Sequence, residues 1–443
     1  MRIIKALLIA SLSFVPFLAQ AITLEEAYLK AKKNDPGFRA NIANINSLQT
    51  LNQTAFNDLL PQIAMQGRIG QVEVDNDIIY GNSDYDVKEL GIRAEQSIFR
   101  PDQWFNYLTS VKQDELYDIQ KIAAEQMLIQ KVVDQYFNVQ ESHLRWQFSD
   151  KNTTMNSLFT ELARVQQDLG VIDSNRINLA LSNESASEAE TLATKQLSEL
   201  EQERYFQIVG EYMPLTQLQD VYNPLCISCL DQYLEAQKQK KLVSLQELQT
   251  AGNKAISDAQ YSQAFSGFLP QVNAYANYGK RDSSQFFITG NGLTLIDLEA
   301  ELFEVGLEMT WPLFLGGSNL TRVKAAAYRK EAAQLELIDV KYEVQRQLAI
   351  AEMQYAQSKK LLEAQLTSYQ FAKKDLEAEQ EKLRLGSASK IDVSRSKSNL
   401  LQSEYQQALT KFNVLRAWMQ VLALHGLLSE DSLKVASEAL AIS

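Results

Sequence analysis

The chain has 443 residues, with 43 Lys+Arg against 55 Asp+Glu and a formal charge of −12. That balance excludes nucleic acid as a partner, because phosphate binding needs a basic face. Two Cys in so long a chain exclude a disulfide-stapled scaffold, two His leave little room for a metal centre, and 45% hydrophobic with 22% charged residues excludes a disordered chain or a bundle of membrane helices.

The N-terminus reads as an export signal. Arg2 and Lys5 precede an apolar run from Ala6 to Ala19, and Ala19-Gln20-Ala21 is the small-x-small pattern that a signal peptidase cuts. The run is shorter than the roughly 20 residues of a spanning helix, which disfavours the alternative of an uncleaved anchor. No Cys follows the cut to carry a lipid. No later stretch is apolar for long enough to span, so a mature chain that enters a membrane does so as a β-barrel.

The rest of the chain is written twice, as 22–225 and 226–443. Leu60-Pro61-Gln62 recurs as Leu269-Pro270-Gln271, Ile98-Phe99-Arg100-Pro101 lines up with Leu313-Phe314-Leu315-Gly316, and Leu169-Gly170 with Leu385-Gly386. Each copy opens with a helix. Two strands follow, at about 60–74 and 85–99 in the first copy and about 268–281 and 300–314 in the second. Leu90, Ile92, Ala94 and Ile98 alternate with polar neighbours, as do Val272, Ala274, Ala276 and Tyr278, and then Phe303, Val305, Leu307, Met309 and Trp311. Segment 60–74 alternates less cleanly. One apolar face and one acidic or amide face (Glu89, Glu95, Glu304, Glu308) fit a lipid-facing wall around a wet lumen. A half-buried soluble sheet alternates in the same way. Trp311 and Tyr278, read as lying near strand ends where interfacial aromatics belong, favour the membrane, and the polar segments 75–84 and 280–298 read as external connections.

After the strands, each copy is rich in Ala, Leu, Gln, Glu and Lys, all good helix formers. Asp102–Met213 and Leu313–Ser443 contain no Pro, and Gly170 and Gly386 stand alone in the interior of each stretch. The expectation is one very long helix, a turn at the lone Gly, and a second long helix. The first helix of the second copy would rise roughly 100 Å, far beyond the needs of a compact domain. Leu335, Ile338, Tyr342, Ala349 and Ala356 form a heptad-like stripe along it, interrupted by Gln345 and Glu352. Ordinary bundle helices are the bland alternative.

Four strands cannot close a barrel, and an open edge is forbidden in lipid. Two copies would supply eight strands and three would supply twelve, of which only the larger leaves a useful aqueous lumen.

Between the copies, Cys226-Ile227-Ser228-Cys229 follows Asn223-Pro224. In an oxidising compartment this C-x-x-C reads as a small structural disulfide. The βαβ context of a thioredoxin-like site is missing, and neither His143 nor His425 is near in sequence to complete a zinc site. No Walker loop, G-x-S-x-G or H-E-x-x-H occurs, so neither enzyme activity nor a cofactor is expected.

The signal segment, Thr23-Leu24-Glu25-Glu26-Ala27, Asn34-Asp35-Pro36, the doubled Leu-Pro-Gln and the Gly386–Asp392 turn resemble the TolC family of outer-membrane channels over essentially the whole mature chain. The resemblance implies a mainly α fold with a membrane β-barrel. Its duplicated strand-strand-helical hairpin unit would supply four strands per chain to a twelve-stranded barrel in a homotrimer. A periplasmic α-helical tunnel would meet an inner-membrane pump through an adaptor (membrane fusion) protein. The implied function is a passive exit duct in the outer membrane, for efflux of small toxic compounds or type I secretion of a polypeptide. A periplasmic adaptor or a non-conducting envelope-spanning scaffold is the other class.

By the same resemblance, the family's periplasmic tips match Gln167–Asp173 and Lys382–Val393. Leu169, Gly170, Val171, Leu385, Gly386 and Ser387 would then dock the adaptor. Asp392 matches an aperture aspartate, with Lys390 beside it and Asp173 as its counterpart in the shorter first turn. Arg395 stands where a second aspartate is expected. Leu383 and Ala388 replace the aromatic and basic residues of the family's gate links, so closure would be held differently.

Overall fold

The computed structural model describes residues 22–74, 83–214, 224–239, 243–289 and 292–441. The export segment 1–21 and residues 75–82 of the first expected external connection lie outside them. In chain order the elements are α1 (Leu24–Asn34), α2 (Pro36–Asn52), α3 (Thr54–Asn57), β1 (Gln62–Val74), β2 (Ser83–Phe99), α4 (Pro101–Asp168) and α5 (Ser174–Val209). Then follow α6 (Ile227–Lys238), α7 (Leu245–Ala264), β3 (Gln271–Thr289), β4 (Gly292–Thr310), α8 (Ser318–Arg384), α9 (Lys390–Leu424) and α10 (Glu430–Ala441). Two compact units result, and each draws on both halves of the sequence. One comprises 41–123 and 244–345; the other comprises residues up to 40, 124–243 and 346 onward.

In the first of these units the four strands form one antiparallel sheet in the order β1-β2-β3-β4, so that β2 and β3 join the two copies and β1 and β4 are edges. Register settles the faces, because directly opposed residues share one. Met65, Ile92, Tyr278 and Phe303 are successive partners across the sheet, and so are Ile63, Ala94, Ala276 and Val305. The face they make is bare: Phe303 is 70% exposed, Val305 69% and Leu307 72%. It ends abruptly at the next row, where Leu90 pairs with Lys280 and Lys280 with Glu301, whose charged groups meet at 2.6 Å. From Phe303 to Trp311 a strand rises roughly 26 Å, about 20 Å once tilted, which is of the order of the ~25 Å apolar band of outer-membrane barrels.

The strands run further than their alternation indicates. β3 continues to Thr289 and β4 begins at Gly292, with Phe286 paired to Leu295, so most of 280–298 is ladder rather than loop. Phe, Ile, Leu and Thr in this stretch are compatible with strands even where alternation fails. Tyr278 is consequently mid-strand, at the border of the apolar band.

The other unit packs around the middle of the long helices. Leu24, Ala27, Tyr28 and Ala31 of α1, Val132 and Phe137 of α4, Tyr205 of α5, Leu230 of α6, Phe412, Leu415 and Trp418 of α9 and Leu433 of α10 belong to one core. Trp418 is fully buried, donates from Nε1 to the Leu230 carbonyl at 3.0 Å, and sits 5.7 Å from the Tyr233 ring. The second half ends differently from expectation, since α9 stops at Leu424 and the short α10 follows as a separate helix. Gly426, at φ 69°, permits that break.

α4 and α8 run for 68 and 67 residues without interruption. On α8 the buried positions include Ala326, Ala333, Ala351, Tyr355 and Leu362. The expected stripe of Leu335, Ile338, Tyr342, Ala349 and Ala356 is exposed at all five positions. The intrachain contacts take a face that mixes these alanines with Val344, Tyr355 and Leu362, and leave the Leu335–Ile338–Tyr342 face open.

Candidate channel wall and interhelical turns

Both helical hairpins turn by the same device. At the end of α8, Gly386 lies at φ 76°, with Gly386 N–H bonded to the Leu383 carbonyl at 3.0 Å and Ser387 N–H to the Lys382 carbonyl at 2.8 Å. At the end of α4, Gly170 lies at φ 69°, with its N–H on the Gln167 carbonyl and Val171 N–H on the Gln166 carbonyl, both at 2.8 Å. These are Schellman motifs, which satisfy the last helical carbonyls and demand a left-handed residue at the position both glycines hold. Beyond the first turn, α5 returns along α4. Thr153 and Thr191 hydroxyls meet at 2.8 Å, Thr160 donates to the Ala180 carbonyl, and Arg145 pairs with Glu190. In the second hairpin Ser396 donates to Asp375 at 2.6 Å.

The turns present apolar side chains to solvent: Leu169 is 73% exposed, Val171 68% and Leu385 69%. Gly170, Gly386 and Ser387 are exposed as well. A Cβ on either glycine would meet nothing within 4 Å, so their backbone is open to a partner.

The two aspartates aligned by sequence hold different structural positions. Asp173 is the N-cap of α5 and accepts from Arg176 N–H at 3.1 Å. Asp392 is the third residue of α9, whose N-cap is Ser389. Counted from the caps, Asp173 corresponds to Ser389, and Asp392 corresponds to Arg176. Hydrogen bonding from Ser389 and, to a smaller degree, the positive charges of Arg395 and Lys382 hold the Asp392 carboxyl below the usual carboxylate range. Lys390 is the first residue of α9 and Arg395 its sixth, both exposed. Ser389 is the residue the sequence reading overlooked, although Ser389-Lys390-Ile391-Asp392 carries the capping-box spacing.

A disulfide joins Cys226 and Cys229 at the start of α6. Cys226 N–H bonds the Ala439 carbonyl of α10 at 3.1 Å, so the bridge fixes the first turn of α6 against that helix. His143 is buried in α4 against Trp146, and burial lowers its pKa. His425 caps α9. Among the described residues no group of His, Cys, Asp or Glu could hold a metal ion.

The second face of the sheet is polar but not simply acidic. Glu304 accepts from Tyr275 at 2.9 Å and Asn273 donates to Glu95 at 2.8 Å. Arg281 pairs with Glu89 at 3.1 Å and Arg93 with Glu95 at 3.5 Å. Only the register reveals which carboxylates these arginines face. The sheet thus has one dry and one wet face, two free edges, and no helix among the described residues that could itself cross a membrane.

Residues 236–427 match the family model described as outer membrane efflux protein. The chain is 22% identical to the outer membrane protein TolC of Escherichia coli strain K12, over 99% of this chain and 89% of that protein. It is also 22% identical to the alkaline protease secretion protein AprF of Pseudomonas aeruginosa, over 94% and 87% respectively. Over nearly its whole length the chain is thus similar to TolC-type outer membrane efflux proteins. Its fold is that of the Campylobacter jejuni CmeC outer membrane channel, at a TM-score of 0.71 and 14% identity over 94% of this chain and 89% of that one. The Neisseria gonorrhoeae MtrE channel gives 0.68 at 14% identity, over 93% and 90%. These similarities support an outer-membrane exit duct, and the matched family is one of transport proteins rather than enzymes.

Proposed function

We propose that three copies of this chain close a twelve-stranded barrel in the outer membrane and form the passive outlet of a tripartite export system. One observation carries the reading: an open four-stranded sheet with a bare apolar face on one side and a hydrogen-bonded polar face on the other. In lipid such a sheet is stable only when its β1 and β4 edges are paired, and partner copies supply those edges. The exposed Leu335–Ile338–Tyr342 face of α8 is a second surface for such a neighbour. The long helices would form the periplasmic tunnel. The turns at Leu169-Gly170-Val171 and Leu385-Gly386-Ser387 would receive the hairpins of a periplasmic adaptor that connects to an inner-membrane pump. Asp392, repeated around the axis, would favour cations at the aperture, with Asp173, Lys390 and Arg395 nearby in the same reading. Residues 1–21 would be removed on export, and no cofactor or catalytic step is required. Cargo would be small toxic compounds or a secreted polypeptide, selected by the pump.

The test is a photo-crosslinker at Ser387 in living cells, with captured proteins identified by mass spectrometry. Capture of a periplasmic adaptor supports the assignment. Efficient capture of nothing except other copies of this chain removes the case for a tripartite system.

A further inference from the structure

The polar face of the sheet contains one row that does not fit a plain wet wall. Gln66, Gly91, Gly279 and Leu302 are successive partners across the four strands. Leu302 is thus an apolar residue on the polar face, 63% exposed. The two glycines lie back to back across the β2–β3 pair, and a Cβ on Gly91 would come within 3.2 Å of the Tyr278 carbonyl oxygen. Where two side chains are missing, the wall is recessed. The recess is about 530 Å³, and Arg68, Arg93 and Arg281 line it together with Leu302 and the glycines.

The charges around the recess are uneven. On its outer side Arg68 and Arg281 flank a single carboxylate, Glu89, which Arg281 engages at 3.1 Å. Arg68 is exposed and forms no ion pair among the described residues. On the inner side Arg93 pairs with Glu95 at 3.5 Å and lies over the Tyr275 ring, and Glu304 in the same row accepts hydrogen bonds from Tyr275 and Asn277. Further out the same face continues with Gly70 and the buried Val87, which add no charge. A floor of bare backbone, an apolar side chain at one edge and an excess of guanidinium groups at the other match a ligand with a flat apolar body and an anionic head.

We propose that the inner wall carries a subsite for amphiphilic organic anions, with the head between Arg68 and Arg281 and the apolar body over Gly91 and Gly279 against Leu302. The proposal rests on the exit-duct reading, which makes this face the lumen, and it would give the barrel a preference of its own among solutes. The ligand could be cargo arriving from inside or an amphiphile entering from outside, and the chemistry is the same.

The probe is an anilinonaphthalene sulfonate added to the full-length protein in planar bilayers. Concentration-dependent block of the wild-type conductance is expected, weakened about tenfold or more in Arg68→Gln and in Leu302→Gln, while an organic cation of similar size blocks neither. Addition to each side in turn tells which source reaches the subsite. An azido derivative of the same sulfonate, photolysed on the purified protein, should label β2, β3 or β4 beside Leu302 and lose that labelling in both variants. Equal block and equal labelling in wild type and variants would overturn the proposal. Labelling does not depend on conduction, so a protein that labels as expected but never conducts would count against the duct and leave the subsite supported.

Discussion

Ser389 and Asp392 hold each other across the first turn of α9. The Asp392 carboxylate accepts from Ser389 N–H at 2.9 Å and from its hydroxyl at 2.7 Å, while Ser389 Oγ accepts from Asp392 N–H at 3.2 Å. Asp392 is therefore a structural cap as well as the residue proposed for the aperture, and the two roles separate by mutation. Ser389→Ala leaves the carboxylate in place and should cost about 1 kcal/mol of helix stability. Asp392→Asn removes the charge. If the charge acts on ions, reversal potentials under a salt gradient shift toward lower cation preference in Asp392→Asn and stay near wild type in Ser389→Ala. Unchanged selectivity in Asp392→Asn would confine the residue to capping.

The turn glycines are required for conformation rather than for space. Gly386→Ala introduces no clash but places a Cβ at positive φ, a strain of about 1–2 kcal/mol. Asn tolerates that region better, so Gly386→Asn should lower the thermal midpoint less than Gly386→Ala despite its larger side chain. The reverse order would point to crowding.

Val305 and Glu308 stand on opposite faces of β4. Val305→Lys would put a charge on the apolar face in lipid, at about 2–4 kcal/mol per copy near the midplane, and should abolish the heat-modifiable outer-membrane species on gels. Glu308→Lys should retain that species, because its face is wetted. Equal loss in both would mean that the sheet faces are not sorted by lipid.

Lys411 is almost fully buried in α9, and burial pushes its pKa down to about 8 from 10.5. Between those values the unfolded chain binds more protons than the folded one, so stability rises as pH increases from about 8 to 10.5. The gain amounts to as much as about 3 kcal/mol. Lys411→Met should flatten that part of the profile, as checked by thermal midpoints in detergent across the window. A rise that persists in Lys411→Met would assign the effect to another group.

Cys226 and Cys229 enclose a very short loop, for which chain entropy allows at most about 2 kcal/mol. Replacing both by Ser should therefore release the first turn of α6 locally, seen as faster hydrogen exchange over 227–231, with little change in the exchange of the Trp418 core. Global loss of the fold would show that α6 supports much more than its own turn.

Much of this protein is legible without coordinates, and the misses share a cause. The turns at Gly170 and Gly386 are visible because each is the lone glycine inside a long helix-forming stretch. The strand cores are visible because a face half in lipid imposes a period of two. The extension of β3 and β4 through 280–298 lacks clean alternation, so it reads as a loop even though its residues suit strands. The stripe on α8 is apolar as read yet is not the face buried within the chain, since periodicity identifies a face without identifying its partner. The Asp173–Asp392 equivalence fails because it matches residue type across turns of unequal length; counted from the glycine or from the cap, Asp173 corresponds to Ser389.

The sequence by itself determined the long helices, their glycine turns and the dry and wet faces of the strand segments that alternate cleanly. These depend on residue types at spacings of a few positions, and the chain carries that information wherever it folds. Tertiary structure alone decided that β2 pairs with β3 and joins the copies, and that Arg281 answers Glu89. It also decided that Gly91 meets Gly279 beside Leu302 and that α8 keeps its Leu335–Ile338–Tyr342 face uncovered. Those outcomes compare pairings between residues nearly 200 positions apart, where a shift of one residue in register reverses every face, and only the summed contacts of the folded chain choose among them.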